Sequence, residues 1–162
     1  MKILLISDTH KLTSTLKNEV LAKYANDVQI VVHLGDYARD LTKFKPKYPN
    51  LEMAVVGGSF ESGEEKERIL EVGGDVKRRI LIMHGHTVDV KTNLDRITYY
   101  AQQKGADACF FGHTHEPVVF TKNGVFFMNP GSLTMPRVKG PGSFGLVTIF
   151  EDGEIDGDVI YL

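Results

Sequence analysis

Cysteine occurs once in the 162 residues, at Cys109, so no internal disulfide can form. Set in the apolar run ADACFFG, its thiol is expected to be a small buried hydrophobe rather than a nucleophile or a ligand. An excess of either charge is lacking too: 19 Lys and Arg stand against 21 Asp and Glu, a formal net charge of −2. That balance gives no electrostatic footprint for nucleic acid or for an anionic membrane surface. No apolar run approaches the roughly 20 residues of a membrane-spanning helix. The first residues carry neither a basic region nor a cleavage site, so a cytoplasmic location is expected. Internal repeats, low-complexity tracts and an interdomain linker are absent as well. Residues 1–162 are therefore expected to form one domain. A chain of this size can bury about 70% of its extended surface without a disulfide or structural metal.

What is present is a regular succession of short apolar runs. KILLIS (2–7) is almost continuously apolar, as in a strand covered on both faces. Residues 13–26 open on Thr13 and Ser14 and place Leu16, Val20, Leu21 and Tyr24 at helical spacing. VQIVVHL (28–34) predicts a second strand, ARDLTKF a short helix, and LEMAVV (51–56) a third strand. The charged SGEEKER stretch reads as a solvated surface turn or short helix. ILEVGG and KRRILIMH predict a hairpin, residues 92–104 a helix, and DACFFG a further strand. VVFTKNGVFFMN turns at Asn123-Gly124, and FGLVTIF pairs with EIDGDVIYL around Asp152-Gly153. Strand–helix alternation early and hairpins late predict two packed sheets with helices outside.

The polar residues gather where apolar runs stop. Asp8 and His10 follow the first strand and Asp36 the second. His84 and His86 follow KRRILIM, and His113 and His115 follow DACFF. Five of the six histidines thus lie at strand ends, the edge where open α/β sheets bind ligands. Residues i and i+2 of an extended segment face the same side, so Asp8/His10 and His113/His115 are each expected to converge on one point. A mixed N and O donor set without thiolate suits Mn, Fe, Co, Ni or Zn better than Ca or Mg. His33, inside VVHLGD, is read as a packed or supporting residue rather than a ligand. His86 stays open between ligand, substrate-facing acid and supporting donor.

Taken in order, SDTH, HLGD, MHGH and FGHTH, with NPGS at 129–132 and Pro136-Arg137, resemble the calcineurin-like metallophosphoesterase family. The nearer resemblance is to its small single-domain branch of bacterial and archaeal phosphodiesterases. It implies a four-layer α/β/β/α sandwich of two mixed sheets flanked by helices. It also implies two divalent transition-metal ions, manganese expected first, with nickel, iron, cobalt or zinc as alternatives. By motif position, Asp8, His10, Asp36 and His115 hold one ion, and Asp36 bridges to a second held also by His84 and His113. The implied reaction is hydrolysis of small phosphodiesters by a hydroxide between the metals, with His10 and His86 contacting the developing charge or the leaving group. Nucleic acid and membrane are not expected partners. Asn129 and Ser132 are open between cleft lining and a structural role, Arg137 between phosphate binding and surface charge, and 139–142, within the 134–143 cleft loop, between lid and plain surface loop.

One motif departs from the family. After the third strand the family supplies a ligand Asn, in many members with a leaving-group His nearby, yet this chain reads VVGGSFES. Gly57 or Gly58 stands where the Asn belongs, and no His is available. A water, Ser59 or Glu61 is expected to fill the gap. Without that His, diesters with good leaving groups, such as aryl esters, are expected over alkyl monoesters. The contrasting expectation is a weakened member of the fold acting as an interaction scaffold, as a retromer-coat relative does. Its difficulty is that a scaffold has no physical reason to keep all six ligand-type residues.

Overall fold

Three apolar layers, built from alternate residues of the same strands, organise the chain. The computed structural model describes residues 1–162. Its strands are β1 (Lys2–Ile6), β2 (Ile30–His33), β3 (Glu52–Val55), β4 (Glu67–Val72), β5 (Arg78–Met83), β6 (Ala108–Phe111), β7 (Val118–Lys122), β8 (Val125–Asn129), β9 (Ser143–Ile149) and β10 (Ile155–Tyr161). They form two five-stranded sheets, in the orders β10-β9-β1-β2-β3 and β4-β5-β6-β8-β7. In each sheet three neighbouring strands run parallel: β1, β2 and β3 in the first, β5, β6 and β8 in the second.

Ile3 and Leu5 of β1, with Ile30 and Val32 of β2, point between the sheets. There they meet Ile80, Ile82, Ala108, Phe110 and Met128 of the second sheet. The intervening residues Leu4, Ile6 and Val31 point outward onto Leu16, Val20, Leu21 and Leu41 of the first helical layer. On the far side Leu81, Met83, Cys109 and Phe111 meet Ile97 and Ala101 of the helix Asp95–Gln103. Period-2 strands buried on both faces produce this layering. The architecture is the four-layer α/β/β/α sandwich that the resemblance implied, and contains the two packed sheets that the alternation predicted.

Local boundaries shift for identifiable reasons. The first helical segment is α-helical at Thr13–Thr15 and Ala22–Tyr24 but π-wound across Leu16–Leu21. The short second helix covers Arg39–Thr42. Strand β4 begins at Glu67, inside the run read as a solvated turn. Pairing with β5 extends it: Glu67 opposes Met83 and Arg68 opposes Ile82. Cys109 is buried with no exposed surface, and burial pushes its thiol far up, the opposite of a reactive cysteine.

Register delivers the strand ends to one edge. Ile6 pairs with His33, and His33 with Val55, so the loops opened by Ser7, Leu34 and Val56 leave side by side. Met83 pairs with Phe111, which aligns His84 with Gly112. Asp8 N–H donates to Gly35 O at 3.1 Å within the first sheet's edge, and His113 N–H ties the second edge to it by donating to the Asp8 carboxylate at 3.2 Å.

Candidate metal centre

Asp8, His10, Asp36 and His115 bring four donor atoms within 4.8 Å of one another; Asp36, His84 and His113 form a second such group. Asp36 is common to both. Within the first group His115 Nε2 lies 3.0 Å from Asp8 Oδ1 and 3.5 Å from His10 Nε2. Within the second His84 Nε2 lies 3.5 Å from Asp36 Oδ2 and 3.1 Å from His113 Nδ1.

Asp8 and His10 do converge, but not through strand pleat, and His113 and His115 do not share one point. Strands β1 and β6 have ended before Asp8 and His113, and Asp8, His10, Asp36, His113 and His115 all have positive φ, between 45° and 70°. Left-handed turns, not extended backbone, aim these side chains. The turns also split one pair, since His113 joins the second group and His115 the first.

Backbone carbonyls set the tautomers. His84 Nδ1–H donates to Leu34 O at 2.8 Å and His115 Nδ1–H to Met135 O at 2.6 Å. Each ring therefore presents Nε2 inward, the atom a metal would take once it displaces the proton shared with the facing carboxylate, Asp36 for His84 and Asp8 for His115. Burial raises the Asp36 carboxyl, but the hydrogen bond and charge of His84, with the N–H groups of Ser59 and Phe60, outweigh it and hold it down to about 2. Burial likewise raises Asp8, and His115, His84 and Ser7 outweigh it and keep it below the usual carboxylate range. Burial, then the charges of His84 and Lys91, push His113 down to about 4. Near neutral pH the centre thus offers two carboxylates and a neutral His113. Asp8 Oδ1 is buried and lacks a well-formed hydrogen bond. Lone pairs facing each other around that orphaned oxygen fit divalent cations.

His33 lies outside both groups and is fully buried. Gly35 N–H donates to its Nδ1 at 3.2 Å, so its Nε2–H faces Thr9 Oγ1 at 3.1 Å, and that hydroxyl donates to Asp40 at 2.9 Å. This chain of bonds fixes Thr9 between Asp8 and His10, and neither Thr9 nor Asp40 stood out in the sequence. Burial pulls His33 down to about 4. The unfolded chain then binds the extra proton below pH 6.5, so stability falls as pH drops from 6.5 towards 4, by about 3 kcal/mol in all. Guanidinium unfolding of chelated protein at pH 7.5 and 5 is expected to show about 2 kcal/mol of that loss, and His33→Gln to lose distinctly less. Equal losses in both would show that His33 is not the group responsible.

The departing loop is organised around Gly58. A Cβ there would lie 2.1 Å from Asp36 Oδ1 and 2.2 Å from Asp36 N. Glu61 does not fill the gap: its two carboxylate oxygens accept Gly58 N–H and Ala38 N–H, each at 2.6 Å. Lys66 secures the same loop through Gly58 O and Glu61 O. Ser59 is the residue at hand, with Oγ 3.4 Å from His113 Nδ1 and N–H donated to Asp36 at 2.7 Å. Gly58→Ala is expected to destabilise the protein by about 1–3 kcal/mol through overpacking and to weaken metal binding. Denaturant titration and metal titration check it, and unchanged values would show that the loop yields freely.

Asn129 and Ser132 are fully buried. Asn129 donates to Gly112 O at 2.8 Å and Ser132 to Asp8 O at 2.8 Å, so they brace the ligand loops from beneath rather than line the cleft. His86 belongs to neither group; its ring centre is 5.3 Å from that of His84, and its Nδ1 is buried without a partner. Arg137 is exposed beside His115, whose carbonyl accepts its N–H at 3.0 Å.

Paired sheets with two histidine–carboxylate donor sets at one edge make a scaffold fit to hold divalent metal ions. The chain belongs to the calcineurin-like phosphoesterase superfamily, whose family model matches residues 1–152, and is a hydrolase of the metallophosphoesterase class. It is 33% identical over 154 residues to the probable metallophosphoesterase YsnB of Bacillus subtilis, covering 94% of this chain and 86% of that protein. It is 32% identical over 71 residues to the phosphodiesterase YfcE of Escherichia coli, covering 44% and 35%. A single mutant of Vps29 from Entamoeba histolytica superposes with a TM-score of 0.76 at 26% identity, covering 100% of this chain and 99% of that one. No helix is long and apolar enough to cross a membrane.

Proposed function

We propose that the chain is a metal-dependent phosphodiesterase acting on small phosphodiesters. The observation that carries this reading is the pair of donor groups sharing Asp36. Asp8, His10, Asp36 and His115 would hold one divalent ion, and Asp36, His84 and His113 the other, with the Ser59 hydroxyl beside them. Bound there, two such ions supply an activated water and a positive clamp on phosphate oxygens. Manganese is the first candidate, followed by nickel, iron, cobalt and zinc, from the N and O donors. The name of the YfcE relative supports a diester substrate.

The chain's own groups do the rest. Leu34 O and Met135 O hold two imidazoles in the ligating tautomer. His86, its ring centre 5.3 Å from that of His84, and His10, half-buried in the first group, would meet charge on the substrate. The VVGGSFES loop brings no imidazole, so leaving groups that depart without protonation are favoured. The test is hydrolysis of an aryl phosphodiester by chelated protein reloaded with each metal, with bound metal counted and His115→Ala as control. Turnover restored by metal and lost in the variant supports the reading. About one ion per chain without turnover would favour the second reading, a weakened enzyme serving as an interaction scaffold. The glycine at position 58 and the likeness to Vps29 are the observations behind that second reading.

A further inference from the structure

Phe60 is 71% exposed, the most solvent-exposed large hydrophobic side chain of the protein. Isolated exposed apolar residues are ordinary, but this ring has neighbours. Its centroid is 6.4 Å from that of His10 and 6.4 Å from that of Tyr37, and Tyr37 is 5.4 Å from His10. The three rings form a continuous aromatic wall whose inner end is a candidate metal ligand. Beside the wall lies a depression of about 510 Å³, bordered by Lys11, Tyr37, Phe60 and Glu61 among others.

Several restraints hold the wall in place. On one side of Phe60 the Ser59 N–H is bound to Asp36; on the other the Glu61 carboxylate is bound to Gly58 and Ala38. The loop carrying His10 and Lys11 is fixed by Lys11 N–H donating to buried Asp40 at 2.9 Å. A large apolar ring held open to solvent by such a latch is preorganised, so contact with it costs little ordering entropy. The cations nearby are unequal. Arg39 and Lys43 are paired with Glu64 and Asp40, whereas the Lys11 ammonium lies 5.3 Å from the centre of the Tyr37 ring and has no carboxylate partner.

We infer that the Tyr37–Phe60 wall is a substrate subsite for a planar aromatic group esterified to the phosphate. The inference rests on the phosphodiesterase reading and narrows its substrate class. The phosphate would lie at the donor groups beyond His10, the ring would pack on Phe60 and Tyr37, and the Lys11 ammonium would border both. An aryl alcohol and a nucleoside present the same chemistry to such a wall. Stacking of a base on an aromatic side chain contributes about 1–3 kcal/mol by alanine substitution, which is roughly 5- to 150-fold in affinity.

The test measures binding, not turnover, on the metal-loaded full chain by titration calorimetry. One arm compares phenylphosphonate with methylphosphonate; the other compares adenosine 5′-monophosphate with ribose 5-phosphate. The ring-bearing member is expected to bind about tenfold tighter in at least one arm. Phe60→Ala, which opens no cavity because the side chain is exposed, is expected to collapse that ratio towards one, and Tyr37→Leu to reduce it. A preference confined to the first arm assigns the subsite to aryl groups, and one confined to the second assigns it to nucleobases. Equal binding within both pairs, or a preference that survives Phe60→Ala, overturns the subsite and leaves the phosphodiesterase reading standing. Absence of binding by all four compounds overturns both.

Discussion

Asp36→Asn is expected to reduce phosphodiester hydrolysis by about 10³-fold or more and to lower bound metal from about two ions per chain to fewer than one. Asp36 is the one residue that both donor groups share, so no other single change reaches both. The substitution is nearly isosteric. An asparagine Oδ1 can still accept the Ser59 N–H that lies 2.7 Å from Asp36 Oδ1, and the fold should survive. What disappears is the negative charge 3.5 Å from His84 Nε2, in a residue only 3% exposed. At so buried a point water screens little, and the lost anion weakens attraction for any cation held there. By contrast His10→Ala removes a donor from the first group alone and is expected to have a smaller effect. Metal analysis beside initial rates checks the claim. Activity within about tenfold of the parent would mean that the shared carboxylate is not the centre of the chemistry.

The layers of the fold were legible because strands buried on both faces leave a run of apolar residues that nothing else explains. KILLIS, VQIVVHL and DACFFG are such runs, and the structure places strands in each. The grouping of Asp8, Asp36, His84 and His113 was legible for the same reason: ligand-type residues directly after parallel strands must share an edge. The local geometry was not. The convergence of Asp8 with His10 was expected from an extended pleat, whereas the chain reaches it by left-handed turns. Residue type hints at αL tolerance in Asp and His, but the turn itself depends on partners distant in sequence, such as Gly35 O for Asp8 N–H. Glu61 shows the same limit. Its proximity in sequence to the missing ligand suggested a substitute, and only tertiary bonds to Gly58 and Ala38 reveal a latch. Thr9 and Asp40 gave no signal because their role lies in a hydrogen-bond chain through His33, 24 residues from Thr9. The aromatic wall left one trace, a phenylalanine in the polar run SFES, which became informative once Tyr37 and His10 were found beside it.

Loading with manganese is expected to raise the melting temperature by about 10 °C over chelated protein. Nine non-glycine residues have positive φ, and seven of them lie in the loops of the centre: Asp8, His10, Lys11, Asp36, Tyr37, His113 and His115. That concentration places backbone strain where ligands would be held. Lys11 and Tyr37 lack the short polar side chains that ease the left-handed region. Donor crowding adds to it. His84 Nε2 and His113 Nδ1 are 3.1 Å apart, and His10 Nε2 and His115 Nε2 3.5 Å, so nitrogen lone pairs confront one another unless a proton or a cation lies between. A cation bound only by the folded chain stabilises it by about 4 kcal/mol at a thousandfold excess over its dissociation constant. Each kcal/mol shifts the melting temperature by roughly 2–4 °C in a chain of this size. Calcium, which prefers six or more oxygen ligands, should give a much smaller shift than manganese, and Asp36→Asn should nearly abolish the response. A melting temperature indifferent to manganese would mean that the strained loops are complete without an ion, and the case for a metal centre at this edge would fail with it.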